Sequence, residues 1–358
     1  MNETGSICRP RLASVGVALP PCVVTQPEAE TLLTERYGRE LSPRCLAVML
    51  KALRHPSIRS RHFALEQPAA LFDEDPDARI ARFTRWAVDL GASAARSALD
   101  AAPGGPPVGC LVVNTCTGYV CPGLSTYLLE ALRLPRETKA YDLVGAGCGG
   151  ALPNLQLGAA LVSSDPAIAA LCVSVEICSA TFQMGNDLGL IISNALFADG
   201  AGAAVLHTGG AAGLRGLEVV DFATLHAPEH REAIRYVHRG GQLHNQLSPG
   251  LPGLLRQKVA EVVRRVLGRH GLAVAEVRHW AIHPGGDKVV NAVQEGLGLS
   301  DEQLRVTRGV LRDCGNMSSA TVWFEMGRVL ASGVEAGEWC AMVGAGAGLS
   351  VHACLLRG

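Results

Sequence analysis

Residues 146–164 read AGCGGALPNLQLGAALVSS. Glycines crowd both sides of Cys148, and a run of small and aliphatic residues with helical character then ends on two serines. Soon after comes AALCVSVEI (169–177), β-branched and apolar on both faces, the pattern of a strand buried between two layers. The same order of turn, helix and strand recurs further on. DCGNMSSATVWFEMGRVLASG (313–333) opens on a small polar turn, continues as an apolar helix, stops at a glycine and is followed by WCAMVG (339–344). FADGAGAAVLHTGG (197–210) and VGAGAGLSVHACLLRG (343–358) are alike in the same way. A repeated βαβ plan explains both correspondences, with an N-terminal half over 1–210 and a C-terminal half over 211–358.

Working outward, CLVVNT (110–115), AGAAVL (201–206) and RHWAIH (278–283) read as further strands. TRWAVDLGASAARSALDAA (84–102), GLLRQKVAEVVRRVLGRHG (253–271) and DKVVNAVQEGLGL (287–299) repeat apolar residues three and four apart, as amphipathic helices do. DAAPGGPPVG (100–109) reads as a loop within the first half. Strands alternating with helices predict an α/β protein whose sheets are covered on both faces.

Bulk properties narrow the function. The formal net charge is −1 and no Lys/Arg run stands out, so a nucleic-acid partner is not expected. No apolar stretch is long enough for a bilayer, and MNETGSICRPRLASVG lacks the layout of a secretory signal, so a cytoplasmic protein is expected. Most of the 12 cysteines lie in apolar runs (Cys110 in GCLVVN, Cys172 in ALCVSV, Cys354 in HACLL), as reduced core residues do. Neither a CxxC nor a Cys/His cluster of zinc spacing occurs, so no metal site is expected.

Three segments carry chemistry. Cys148 stands at a helix start, where unpaired N–H groups and the dipole lower a thiol pKa, and its glycines let a substrate approach. A buried thiol beside a helix is the competing reading. His283, in HWAIHPGGDKVV, closes an apolar strand just before Pro-Gly-Gly, where α/β sheets place ligands; it equally suits a strand-end carbonyl cap. Asn316, in a Cys-Gly-Asn turn before a helix, is either an N-cap or an amide donor to a pocket. Taken together, a Cys, a His and an Asn at glycine-rich turns make a nucleophile, its partner and an oxyanion donor.

GCGGALPNL (147–155), LFADGAGA (196–203), IHPGG (282–286) and GNMSSAT (315–321), in this order, resemble the type III polyketide synthases, the chalcone-synthase-like branch of the thiolase superfamily. The resemblance runs from IRSRHF at 58 to the C-terminal GAGAGLSVHACLL. It implies a thiolase-like αβαβα fold of two pseudo-repeated halves, each with a mixed sheet. It also implies that Cys148 takes an acyl group from a starter acyl-CoA while His283 holds it as a thiolate. His283 and Asn316 then bind the thioester oxygen of malonyl-CoA as CO₂ leaves, and chain extension repeats before cyclisation to a pyrone or phenol. No metal, flavin or nicotinamide cofactor is implied. Phe197 falls at a gate between CoA tunnel and cavity. Cys116, Thr181 and Ser318 fall at the cavity, and Cys121 where a residue reaches into a partner subunit, which implies a homodimer. Lys51 and Arg54 fall near basic positions that bind CoA.

This chain departs from the pattern in several places. Asn245 replaces a second gatekeeping phenylalanine, Tyr236 stands where a small residue or Trp is usual, and the GFGPG loop reads GAGAG (344–348). Val48 and His55 thin out the CoA-binding positives. Ketoacyl carrier-protein synthase III enzymes share the Cys/His/Asn chemistry; such a relative would condense once and take its substrate from an acyl carrier protein. A thiolase-fold partner that binds acyl groups without extending them is the non-enzymatic alternative.

Overall fold

The computed structural model describes residues 9–73, 75–208 and 216–358. The proposed junction of the halves at 210/211 and Cys8 lie outside the described residues. Strands run in chain order β1 (Arg11–Ala18), β2 (Cys22–Thr25), β3 (Ser60–Phe63), β4 (Val108–Asn114), β5 (Lys139–Leu143), β6 (Ala169–Ile177), β7 (Asp199–His207), β8 (Leu217–His226), β9 (Ile234–Arg239), β10 (Gln242–Leu247), β11 (Val277–Ile282), β12 (Trp339–Gly346) and β13 (Ser350–Arg357). The helices are α1 (Gln26–Tyr37), α2 (Pro43–Leu53), α3 (Pro76–Asp100), α4 (Leu124–Leu132), α5 (Ala151–Ser164), α6 (Leu188–Leu196), α7 (Leu251–Gly268), α8 (Asp287–Leu297), α9 (Arg305–Cys314) and α10 (Thr321–Ser332).

Both half-sheets are mixed. In the first, β5, β4 and β6 are parallel, and β7 and β1 continue antiparallel. In the second, β8, β13 and β12 are antiparallel and β11 is parallel to β12. Two residue pairs between β1 and β8, Arg11 with Glu218 and Leu12 with Leu217, join them into one sheet order.

Strand side chains alternate between layers, which is why these strands are apolar on both faces. In the first half, Leu111, Val113, Leu171 and Val173 pack under α3 and α4 through Phe83, Leu90 and Leu128. Their neighbours Val112 and Cys172 turn the other way, onto Leu152, Leu155 and Ala159 of α5 and Trp323 of α10. The same middle layer packs against Met342 and Cys354 of the second half, whose Trp280, Val343 and Val351 face α7 and α8. Helix, sheet, helix, sheet, helix is the layering expected. Burial of such a middle layer stabilises at about 25 cal/mol per Å² of apolar surface removed from water.

One buried side chain fixes where the middle layer begins. Asn154, fully buried in the first turn of α5, has Nδ2 at 3.1 Å from Val112 O, 2.9 Å from Asn114 Oδ1 and 2.9 Å from Val173 O. It thereby pins the start of α5 over the ends of β4 and β6. A smaller lobe of α1, α2, β2, β3 and α6 packs around Met49, Leu53, Phe63 and Ile191, and the β9–β10 hairpin lies beside α6.

Candidate active site

Cys148 occupies a single tight turn, Gly147–Gly149, directly before α5. The turn lies against the end of β12, where a Cβ on Gly346 would stand 2.0 Å from Ala146 O; only glycine allows that approach. Burial leaves the thiol with one described hydrogen bond, 3.2 Å from Ser318 Oγ. The same hydroxyl lies 3.3 Å from Cys116 Sγ, so one oxygen stands between two thiols. Ser318 has φ of 51°, a left-handed conformation costly for a residue with a side chain and held by the GNMSSAT turn.

Beneath the two thiols lies Glu176, at the end of β6 and fully buried. It accepts from Thr117 Oγ1 at 2.9 Å, Cys116 N at 3.0 Å, Thr115 Oγ1 at 3.3 Å and Cys116 Sγ at 3.5 Å, and also from Ser319. Burial outweighs these bonds and raises its carboxyl above the usual range. Sequence reasoning missed Glu176, because AALCVSVEI was read only as a strand. The usable signal was a lone charge in that run, since a carboxyl is seldom buried without partners.

His283 extends β11 by one residue, its N–H donating to Val343 O at 2.9 Å. Asn316 is tied by its backbone to the end of α6: its N–H donates to Leu196 O at 3.0 Å and its carbonyl accepts from Ala198 N at 2.8 Å. The Asn316 Oδ1 accepts from Ser318 N at 2.8 Å, which leaves the NH₂ as its donor. One turn therefore links Asn316 to Phe197 and Ser318 to both thiols. No described hydrogen bond joins Cys148 to His283 or Asn316.

Burial pushes the Cys148 thiol up to about 12 and the His283 imidazole down to about 4. Burial thus opposes charge on either group and works against the resting thiolate that the resemblance implies.

Buried histidines also make the fold acid-sensitive. Burial holds His352, beside Gly149 on β13, at about 4 as well. Unfolded, both protonate near 6.5, so between pH 6.5 and 4 these two sites bind more protons in the unfolded chain, and their contribution to stability falls as pH falls. The loss is at most about 1.4 kcal/mol per pH unit per histidine. The buried carboxyls Glu176, Asp199 and Glu325, raised by burial, act the other way over the same range, so the histidine share is read as a difference: between pH 7 and 4.5 the urea midpoint should fall less in His352→Asn than in wild type. An identical drop in that variant would exclude the linkage.

Phe197, Thr181, Tyr236 and Asn245 line one cavity with Cys178 and Arg61. Tyr236 and Asn245 face each other across the hairpin, and the buried Tyr236 hydroxyl bonds to Thr181. Cys178, a buried thiol at this cavity, was not singled out by the sequence. Cys121, Lys51 and Arg54, expected at a partner contact and at the CoA-binding positions, do not line this cavity. Cys121 is exposed in the segment before α4, and Lys51 is exposed on α2. Arg54 caps the same helix and donates to both oxygens of Glu30, at 2.6 and 2.9 Å. Among the described residues no group of His, Cys, Asp and Glu could hold a metal ion, and no helix is long and apolar enough to cross a membrane.

Comparison with known proteins supplies the context for this geometry. Residues 218–358 match the C-terminal domain of chalcone and stilbene synthases, and 94–216 match the FAE1/type III polyketide synthase-like family. The chain is 30% identical to a 3,5-dihydroxyphenylacetyl-CoA synthase of Streptomyces toyocaensis, over 98% of this chain and 90% of that protein. It is 31% identical to a 1,3,6,8-tetrahydroxynaphthalene synthase of Streptomyces peucetius, over 97% and 92%. Its structure superposes on PKS-I of the brown alga Ectocarpus siliculosus with a TM-score of 0.87, 28% identity and 98% of each chain covered. Family matches over both halves and relatives aligned nearly end to end agree with the layered fold and the buried cysteine turn: the chain belongs to the type III polyketide synthases.

Proposed function

We propose that this type III polyketide synthase loads an acyl-CoA starter on Cys148, extends it with malonyl-CoA and cyclises the product to a pyrone or phenol. The observation that carries the reading is the turn 315–318, which ties Asn316 to Phe197 and Ser318 to the Cys148 thiol in a chain of this family.

In loading, the Cys148 sulfur attacks the thioester carbonyl as its proton passes to His283. The CoA thiolate leaves and takes that proton. Neutral thiol and neutral imidazole are the right starting pair, because charge separates only as the C–S bond forms. In extension, the bond between the malonyl carboxylate and its methylene breaks and CO₂ departs. The electron pair becomes an enolate whose oxygen accepts from His283 and from the Asn316 NH₂. The enolate carbon attacks the acyl carbonyl and the bond to Cys148 sulfur breaks, its electron pair leaving on the sulfur as a thiolate that takes up a proton before the next round. Loss of CO₂ drives the step without a resident cofactor.

Phe197, Thr181, Tyr236 and Asn245 shape the space for the growing chain, with Cys116 and Ser318 at its thiol end. Lys51 and Arg54 hold the CoA phosphates, Arg54 exchanging Glu30 for them. A second copy covers β5, an edge strand whose residues are mostly exposed, and the exposed Tyr119, Cys121 and Val144 nearby; the working unit is a cytoplasmic homodimer.

Intact-protein mass spectrometry after incubation with acetyl-, hexanoyl-, dodecanoyl- and benzoyl-CoA, followed by product analysis with malonyl-CoA, tests the reading. An adduct on Cys148 and multiply extended pyrones or phenols are expected. An adduct extended once, or only when a carrier protein is supplied, would replace it with the synthase III type of activity.

A further inference from the structure

A buried arginine stands where gate and oxyanion donor meet. Arg61, in β3, is 2% exposed, and burial lowers its pKa only to about 10, so it remains a cation. Its Nη1 donates to Asn194 O at 2.6 Å and to Phe197 O at 2.9 Å, and its Nε donates to Gln26 Oε1 at 3.1 Å. The guanidinium carbon lies 5.0 Å from the centroid of the Phe63 ring. Gln26 completes the group, donating from Nε2 to Ala195 O at 3.1 Å. Three carbonyls at the end of α6, which have no partner within the helix, thus receive side-chain donors, and a cation there also suits the helix dipole.

The other side of the same segment is Asn316. Its backbone bonds to Leu196 O and Ala198 N flank Phe197, whose own carbonyl belongs to Arg61. Gly315, at φ of 76°, leaves no side chain between them: a Cβ there would stand 2.8 Å from Arg61 Cγ and 3.2 Å from Ala198 Cβ. Residues 196–198 are therefore held between a guanidinium and the backbone of the oxyanion donor.

We propose that Arg61 is a positioning residue that sets Phe197 and Asn316 relative to each other, and so serves carbon–carbon bond formation and not the loading of Cys148. The inference rests on the function proposed above. Loading needs Cys148 and His283, neither of which touches this clamp. Decarboxylation needs Asn316 beside the malonyl thioester, and a displacement of about 1 Å at such a site costs on the order of 10² in rate. An arginine of merely structural value would lower both steps together, through the folded fraction.

The test uses full-length Arg61→Gln, Arg61→Lys and Gln26→Leu enzymes, with hexanoyl-CoA as the loading probe. Lysine keeps the charge but offers a point donor that cannot serve Gln26 and both carbonyls at once. Adduct formation on Cys148, followed by intact mass, should stay within about threefold of wild type. The kcat for condensation with malonyl-CoA should fall about 10- to 100-fold in Arg61→Gln, less in Arg61→Lys and least in Gln26→Leu, with KM for the starter unchanged. Loading and condensation falling in parallel, or condensation unchanged, overturns the inference. Should Arg61→Gln fail to fold, the same split is required of Arg61→Lys, and its absence there is equally fatal. A wild-type enzyme that forms no adduct removes the proposed function itself, and this inference with it.

Discussion

Replacing Cys148 by serine is expected to abolish the acyl adduct and to lower turnover at least about 10³-fold. A hydroxyl is far less acidic than a thiol, and burial already opposes charge here: it raises the Cys148 thiol and lowers the His283 imidazole. Serine adds to that cost without the nucleophilicity of sulfur. The two thiols that share the Ser318 hydroxyl make the experiment sharper. Cys116 stands beside the Glu176 carboxyl, and burial together with that charge raises it well above an ordinary thiol. It should therefore stay protonated and not replace Cys148. Peptide mapping after incubation with acyl-CoA should find neither residue acylated in Cys148→Ser, and Cys116→Ala in that background should change nothing further. Acylated Cys116 with residual condensation would show that the nucleophile is shared and that Cys148 was assigned too much.

How far the sequence could be read depended on whether a feature left a local mark. AALCVSVEI matched β6 residue for residue because both its faces are buried, and the glycine stops bounded α7 and α10 within a few residues. The start of α3 was missed by eight residues: its first turns are polar, and only Asp75 capping and Pro76 mark them. The β9–β10 hairpin was invisible because its strands are half-exposed and alternate with neither period. Cys148, His283 and Asn316 were legible since each ends a strand or opens a helix at a glycine-rich turn. Glu176 and Arg61 sit inside strands, and their meaning comes only from what tertiary packing brings to them. No local rule places a carboxyl from β6 under thiols from two loops, or an arginine from β3 at the end of α6.

The Asn316 donor offers the second large effect, and the choice of substitution decides what is learned. Asn316→Ala removes the NH₂ that should hold the enolate oxygen, but it also removes the Oδ1 that fixes Ser318 N at 2.8 Å. Ser318 is in a left-handed conformation, so losing that bond loosens the group between the thiols as well. Asn316→Asp separates the two roles. The carboxylate still accepts from Ser318 N, yet it donates nothing and sets a negative charge toward a developing oxyanion. Loss of one oxyanion donor costs about 10²–10³ in rate, and the charge should take Asn316→Asp to the upper end. Asn316→Asp should load hexanoyl-CoA on Cys148 at near wild-type rate, since that step draws its proton acceptor from His283 and the Ser318 turn is kept, whereas Asn316→Ala should load more slowly because the Ser318 hydroxyl at the thiol is loosened. Release of CO₂ from malonyl-CoA should fall in both, and more in Asn316→Asp. If Asn316→Asp condensed within threefold of wild type while Asn316→Ala failed, the asparagine would be acting through the Ser318 turn and the enolate would be held by other groups.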